Sequence, residues 1–441
     1  MAVKMIQIKR RDVLLHSHLP MKSALVFIFS LSSLLFAQQR SQDSGHISSL
    51  GSTAQPAKQV QPDSIQSYLE SLVANHTIAG AVTLVSTKDR TVYLNATGFR
   101  DLAAKDPMPA DALFWIASVS KPLTATAFMM LVDEGKIKLD DPVEKYLPEF
   151  KGQQVILKQA ASTAGPPGTS DSTKSPELVP AIHPILIREI LSHTSGLRFH
   201  SAAEPGALDL LPLKLSVRSY AAEPLVFQPG TDYVYSNEGL NTAARIIEVV
   251  SGMPYEQFIK ERLFDPLGMK NTTFWPDAGQ IQRLAQSYKL NTQTKDLMKV
   301  PVSQLTYPLD DRDHRYPMAA GGLFSTAEDL AKFCRMILNG GTLDSKRYLS
   351  AEALREMTST QNRGLGKTDY GFGWAVSPSS IGHGGAYKNI IDIDTENGRI
   401  LVFMVQQDGA WGTSDGDQMV SRLKQFANEM VAPHVNGTTT Q

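Results

Sequence analysis

Cysteine is almost missing from this chain. A single thiol, Cys334, excludes any intrachain disulfide, and the helical pattern after Ser325-Thr-Ala-Glu328 marks it as a small core hydrophobe rather than a nucleophile. Metal-ligand patterns are equally scarce. Ten histidines make no His-Glu-x-x-His and no Cys-x-x-Cys can exist, so neither a metal nor a cofactor is expected. Charge of one sign is not in excess: 43 Lys and Arg face 44 Asp and Glu, a formal net charge of -1. No basic stripe with interleaved aromatics appears, which excludes nucleic acid as a natural partner.

Long hydrophobic runs are lacking too. The apolar run Ser23–Ala37 is too short for a comfortable membrane span. It follows Met21-Lys22 and precedes polar Gln38-Gln39-Arg40, the layout of a secretory signal over residues 1–37. A secreted or periplasmic protein is therefore expected. Leu35, two residues before Ala37, suits cleavage poorly, so membrane attachment is expected only if the segment stays uncleaved. No cysteine follows it closely, which excludes a lipid anchor.

What remains is an ordinary soluble composition. The 441 residues, 42% hydrophobic and 20% charged, allow one large core or two. Residues 38–61 are rich in Gln, Ser, Gly and Pro and read as a linker. Strand patterns occur at 79–86 and 91–97, around the turn Lys88-Asp89-Arg90, and return from Tyr370 to Gln406, with Glu396-Asn-Gly398 as a hairpin turn. Helical patterns fill the middle, and one more spans about 415–431. The pattern predicts an α+β fold: one antiparallel sheet built from residues 62–110 and 320–433, flanked by the terminal helices. A mainly helical domain, 111–319, is inserted, with a mobile low-complexity insertion at 159–180. Residues 434–441 are a tail.

The centre of the chain is Phe114-Trp-Ile-Ala-Ser118-Val-Ser-Lys121-Pro122. The apolar segment that follows, ending at Gly135, predicts a buried helix with a C′ glycine stop, and Pro122 must lie in its first turn. Ser118 then sits at or just before the helix start, with Lys121 on the same face. A lysine stripped of water there has a lowered pKa and can serve as base to a serine, a weak nucleophile otherwise. Read alone, the tetrapeptide fits an N-cap and a solvated lysine better than a catalytic pair. A second copy, Ser421-Arg-Leu-Lys424, lies inside a polar-faced helix.

Partners decide between these readings. Ser118-Val-Ser-Lys121, Tyr235-Ser-Asn237 and His383-Gly-Gly385 occur in the order of three motifs of the serine β-lactamase and penicillin-binding-protein family. The chain resembles its class C-like branch, which includes DD-carboxypeptidases, D-aminopeptidases and esterases. Leu191-Ser-His-Thr-Ser-Gly-Leu197, Gln228-Pro-Gly-Thr231, Gly321-Gly-Leu-Phe-Ser325 and Tyr370-Gly-Phe-Gly-Trp374 add to the likeness, which covers roughly 60–431. It implies a β-lactamase/transpeptidase-like α/β sandwich. It further implies Ser118 as acylated nucleophile, Lys121 as its base and Tyr235 as proton relay, its phenol acidified by cationic neighbours. Asn237 would bond the lysine and the substrate amide. His383, Gly384 and Gly385 would line the substrate cleft, and the backbone N–H groups of Ser118 and Ala386 would form an oxyanion hole. Other Tyr-x-Asn copies, Tyr93-Leu-Asn95 and Tyr387-Lys-Asn389, lack the required place in the order.

The third motif departs from the Lys-Thr-Gly of class C β-lactamases. A fixed cation gives way to a titratable histidine, with Lys388 nearby as a further charge, and this weighs against efficient β-lactam hydrolysis. An exported serine hydrolase acting on amide or ester substrates is expected, taking a β-lactam, a D-Ala-D-Ala peptide or a carboxylic ester. Its partner is a small-molecule or peptide substrate. The alternative is a non-turnover receptor acylated by penicillin or wall peptide. A rival nucleophile elbow, Gly412-Thr-Ser414-Asp-Gly416, is followed only by His434 and reads as a helix cap.

Overall fold

The computed structural model describes residues 62–157, 176–204, 206–409 and 416–432. The expected signal, linker and tail, and Ser414 of the rival elbow, lie outside the described residues. Seven strands make the main sheet: β1 (Gly80–Ser86), β2 (Thr91–Asp101), β3 (Asp106–Pro107), β4 (Ala375–Val376), β5 (Ser380–Gly384), β6 (Ile390–Asp394) and β7 (Arg399–Met404). Their order across the sheet is β4-β5-β6-β7-β1-β2-β3, antiparallel throughout. The two ends of the chain meet where β1 pairs with β7, Val82 opposite Met404 and Ser86 opposite Ile400.

Both central strands are buried along their whole length, because both faces of the sheet are covered. Alternation sorts the side chains. Val82, Leu84, Ile400, Val402 and Met404 enter the large core shared with the helical region. Ala81, Val85, Leu401 and Phe403 pack against Ile65, Leu69 and Leu72 of the first helix, Pro62–Ala74, and Leu423 and Phe426 of the last, Gly416–Val431. Lys424 of the second Ser-x-x-Lys copy reaches buried Asp392, 2.5 Å away, while Ser421 is exposed.

In the large core lies the helix Ser120–Asp133, buried on nearly every side. It stops as its glycine predicts. Gly135 takes φ +71°, its N–H bonds Val132 O, and the N–H of Lys136 returns to Leu131 O. The helix begins at Ser120 and, as expected, Ser118 lies just before it, in a 3-10 turn, Ala117–Val119, with Ala117 at the left-handed φ of +45°. The cap of helix Ala327–Leu338 is Thr326, and Ser325 is committed to a strand pair with Phe114. One segment differs from expectation. The segment expected as a mobile insertion contains a strand: Leu178–Pro180 pairs with Gln154–Ile156, while residues 158–175 lie outside the described residues.

Candidate active site

The turn bearing Ser118 is held from behind. Trp115 pairs with Phe324, and the N–H of Ile116 bonds Leu323 O. Ala117 then reverses the chain in a conformation costly for a residue with a Cβ, the kind of local strain that concentrates at reactive sites. Ser120 Oγ donates to Ala117 O at 2.7 Å and locks the turn. Ser118 itself is half-buried.

Lys121, one turn on, is fully enclosed, and that loss of hydration drives its pKa far below the usual lysine range. Its Nζ lies 2.6 Å from Asn237 Oδ1, 2.8 Å from Ala320 O and 3.3 Å from Ser118 Oγ. A neutral amine has two hydrogens and one lone pair. Two oxygens that can only accept, the Asn237 amide and the Ala320 carbonyl, take the hydrogens. The lone pair is left for the remaining neighbour, the hydroxyl hydrogen of Ser118.

Asn237 opens the helix Asn237–Ser251, whose cap is Ser236: its Oγ accepts from the N–H of Gly239 at 3.0 Å and donates to Arg198 O at 2.5 Å. A side chain at Gly239 would run into the Ile190 carbonyl, so that glycine sets how deeply the helix sits. Asn241, one turn further, accepts from the N–H of Ala320 at 3.0 Å and so steadies the carbonyl that Lys121 uses. Just outside the helix, the Tyr235 phenol hydrogen-bonds Ser118, and its ring lies 4.6 Å from Lys121 Nζ. Burial pushes this phenol far above the usual tyrosine range, the Ser118 hydrogen bond offsetting only part. The expected acidified phenol is thus corrected. Burial outweighs every neighbour here, and the same burial holds the Lys121 amine well below its usual range.

The third motif ends β5. His383 Nδ1 lies 2.8 Å from Gly384 O and Nε2 lies 2.9 Å from the Tyr370 hydroxyl. A carbonyl only accepts, so Nδ1 carries the proton and Nε2 accepts from Tyr370. Burial first, then Lys121, pushes this imidazole down to about 3. The titratable cation expected at this position is instead a neutral ring, 8% exposed, with both nitrogens engaged inside the protein. Both glycines had been expected to admit substrate. Gly384 is exposed and a Cβ there would make only an ordinary contact with Asn389 O at 3.9 Å, but a Cβ on Gly385 would lie 2.6 Å from Ile116 O. That residue is small so the turn can press on the nucleophile strand. The turn is fixed there by the N–H of Gly385 to Asn389 O at 2.7 Å and by Asn389 Nδ2 to Trp115 O at 2.9 Å. Ala386 lies exposed in this turn, and no backbone hydrogen bond of the region uses its N–H or that of Ser118. Lys388, at φ +71°, is engaged in contacts of its own.

The other Tyr-x-Asn copies serve elsewhere: Tyr93 and Asn95 bond each other on β2, and Tyr387 packs edge-on against Trp115. Cys334 is buried and its thiol is pushed well up by burial. Among the described residues no group of His, Cys, Asp and Glu clusters as a metal site. Two residues given no role from sequence, His193 and Tyr370, join the site. The signal was present, since both stand in phrases that resemble the family, but neither residue type announces chemistry at that spacing.

A family model described as Beta-lactamase matches residues 65–423. An uncharacterized protein of Mycobacterium tuberculosis is 37% identical over 290 residues, 64% of this chain and 67% of that protein. Esterase EstB of Burkholderia gladioli is 27% identical over 327 residues, 67% of this chain and 74% of the esterase. Among solved structures, EstCE1, a hydrolase with promiscuous acyltransferase activity, aligns with a TM-score of 0.64 at 22% identity over 84% of this chain and 97% of its own, a likeness of fold.

Proposed function

The chain belongs to the beta-lactamase family and is a serine hydrolase, and from that premise we propose that it hydrolyses uncharged carboxylic esters through an acyl-enzyme on Ser118, outside the cytoplasm. One observation carries the chemistry: Lys121 Nζ lies 2.6 Å from Asn237 Oδ1, 2.8 Å from Ala320 O and 3.3 Å from Ser118 Oγ, so a neutral amine that spends its two hydrogens on the first two keeps its lone pair for Ser118. As Ser118 Oγ bonds the ester carbon, its proton passes to Lys121. The carbonyl electrons move onto oxygen, which the N–H groups of Ser118 and Ala386 receive. When the oxyanion collapses, the C–O bond to the alcohol breaks and the departing oxygen takes the Tyr235 proton. Lys121 gives back its extra proton, so the phenol is restored. Water repeats the sequence on the acyl carbon and frees Ser118 and a carboxylic acid.

Ester as substrate class is supported by the neutral, internally bonded His383, which offers no charge to a substrate carboxylate, and by the likeness to an esterase. Export is supported by the basic start and apolar run ahead of Ala37. It would place the mature terminus after that residue, which sequencing of the secreted or periplasmic protein reads directly. Function is tested on p-nitrophenyl esters, nitrocefin and D-Ala-D-Ala peptides with the wild type and Ser118→Ala. Esters should turn over, and the variant should lose at least about a hundredfold. An unaltered rate in Ser118→Ala refutes the assignment. A burst of acylation without steady turnover indicates the receptor alternative.

A further inference from the structure

His193 lies under Tyr235, buried to 1% exposure, and takes no part in the proton transfers above. Its neighbours are unusual for a core histidine. The ring centroid lies 4.6 Å from that of Tyr235, 4.6 Å from Tyr370 and 5.9 Å from Tyr233. Its backbone carbonyl accepts from the N–H of Val234 at 3.1 Å, and its ring Nδ1 accepts from the N–H of Ser236, also at 3.1 Å. One residue therefore bonds the backbone N–H of both neighbours of Tyr235, Val234 and Ser236.

Those two bonds matter because of what surrounds them. Residues 232–236 form an irregular run with no strand partner, leading into the helix cap. Irregular backbone without a ladder is ordinarily the most mobile part of a fold. Here it carries the group that must stay within hydrogen-bond reach of Ser118. His193, by contrast, has a rigid seat. The N–H of Thr194 bonds Glu189 O, that of Gly230 bonds Thr194 O, and Gly196 at φ +82° lies hard against Phe227 O. The seat fixes φ of His193 at +65°, a conformation that asparagine and histidine tolerate better than most residues.

The residue type also fits. Nδ1 has to accept, so the ring must be neutral; a protonated ring would turn a donor toward the Ser236 N–H. Burial above all holds the imidazole well below its usual range, with Lys121 and His383 acting in the same direction, and the three tyrosine rings pack around it. A carboxylate could accept the same bond, but its charge would draw a proton onto Lys121. An aliphatic residue could fill the space but would leave the Ser236 N–H unpaired.

We infer that His193 is a positioning residue for the proton donor: it holds the backbone N–H groups of Val234 and Ser236, the residues before and after Tyr235, and backs its ring, holding the phenol on Ser118. The inference rests on the acyl-enzyme reading above. It adds a function to the Leu191–Leu197 phrase, which carried none.

The test compares His193→Asn, His193→Gln and His193→Phe with Tyr235→Phe, all in the full chain. Asparagine keeps an acceptor near the Nδ1 position and suits the backbone. Glutamine carries its oxygen too far along, and phenylalanine keeps the ring without an acceptor. On an alkyl ester, His193→Phe and His193→Gln should lower kcat about a hundredfold with KM within about threefold, while His193→Asn stays within about tenfold of wild type. The double variant His193→Phe with Tyr235→Phe should be no slower than Tyr235→Phe alone, since both remove one function. Additive losses, or a His193→Phe as fast as wild type, overturn the inference. If His193→Phe does not fold, equal activity of the asparagine and glutamine variants overturns it instead. A fluorophosphonate that labels Ser118 in the wild type but not in Ser118→Ala separates the two levels: without that labelling it is the acyl-enzyme reading that fails.

Discussion

Replacing Asn237 by aspartate asks whether Lys121 works as a neutral base. The exchange is nearly isosteric, and an acidic residue in the first turn of a helix is favoured by the helix dipole, so the fold should survive. It puts a carboxylate where the amide oxygen now lies, 2.6 Å from Lys121 Nζ. At an effective dielectric of about 20, unit charges at that separation attract by about 6 kcal/mol. One pKa unit is worth about 1.4 kcal/mol, so the ceiling is a rise of about four units. Burial of the new carboxylate opposes its ionisation and returns part of this, leaving a rise of about two units. The sign follows from the charge: an anion stabilises the ammonium, and an ammonium has no lone pair for the Ser118 proton. On an ester, kcat/KM near neutral pH should fall about a hundredfold and recover about tenfold for each unit of pH added, until the shifted pKa is passed. The assay is the pH profile of kcat/KM for both proteins, with circular dichroism to establish folding. A folded variant whose acid limb superimposes on the wild-type limb refutes the proton count at Lys121.

Tyr235→Phe removes a phenol that burial keeps protonated. It should cost about a hundredfold or more on alkyl esters but much less on p-nitrophenyl esters, whose leaving group departs without a proton. Equal losses on both would count against a donor role. Glu238, beside Asn237 and bonded to the N–H of Arg198, is pushed up to about 8, by burial above all. An unfolded glutamate titrates near pH 4.3 or so, so between these values the folded state binds the extra proton. That contribution to stability is complete below the unfolded pKa and is lost as pH rises through about 8, on the order of 3–5 kcal/mol. Thermal unfolding should therefore show the wild type losing ground to Glu238→Gln as pH is raised; a constant difference across the range would refute the shift.

The antiparallel sheet shared by the two ends of the chain, the glycine stop at Gly135 and the meeting of Ser118, Lys121, Tyr235 and Asn237 were legible from local pattern and motif order. What was not legible shares one cause. The strand at Leu178–Pro180 hid in a low-complexity stretch because its pairing with Gln154–Ile156 is a tertiary fact. The strained backbone at Ala117 follows a strand pair with Phe324–Ser325, some two hundred residues away in sequence, which no local pattern announces. His193 and Tyr370 gain their roles from rings contributed by separate segments. Residue types show which groups can titrate; only the packing shows which of them do.

That point also bears on the proposed ester preference. Lys121 and His383 are held below, and Tyr235 above, their ordinary ranges, and for all three burial is the largest cause. Such surroundings oppose formal charge around the nucleophile before attack. An uncharged ester enters such a site with little loss of ionic hydration. A penicillin or a D-Ala-D-Ala terminus must bring a carboxylate alongside β5, where His383 gives both nitrogens to Tyr370 and Gly384. Stripping water from an ion without a partner costs several kcal/mol, which is two or more orders of magnitude in kcat/KM. Tyr370→Phe frees His383 Nε2 from its donor, and the carboxylate-bearing substrates should gain on the neutral ones in that variant. If the ratio of nitrocefin to ester turnover stays where it was, the internal bonding of His383 is not what sets the preference.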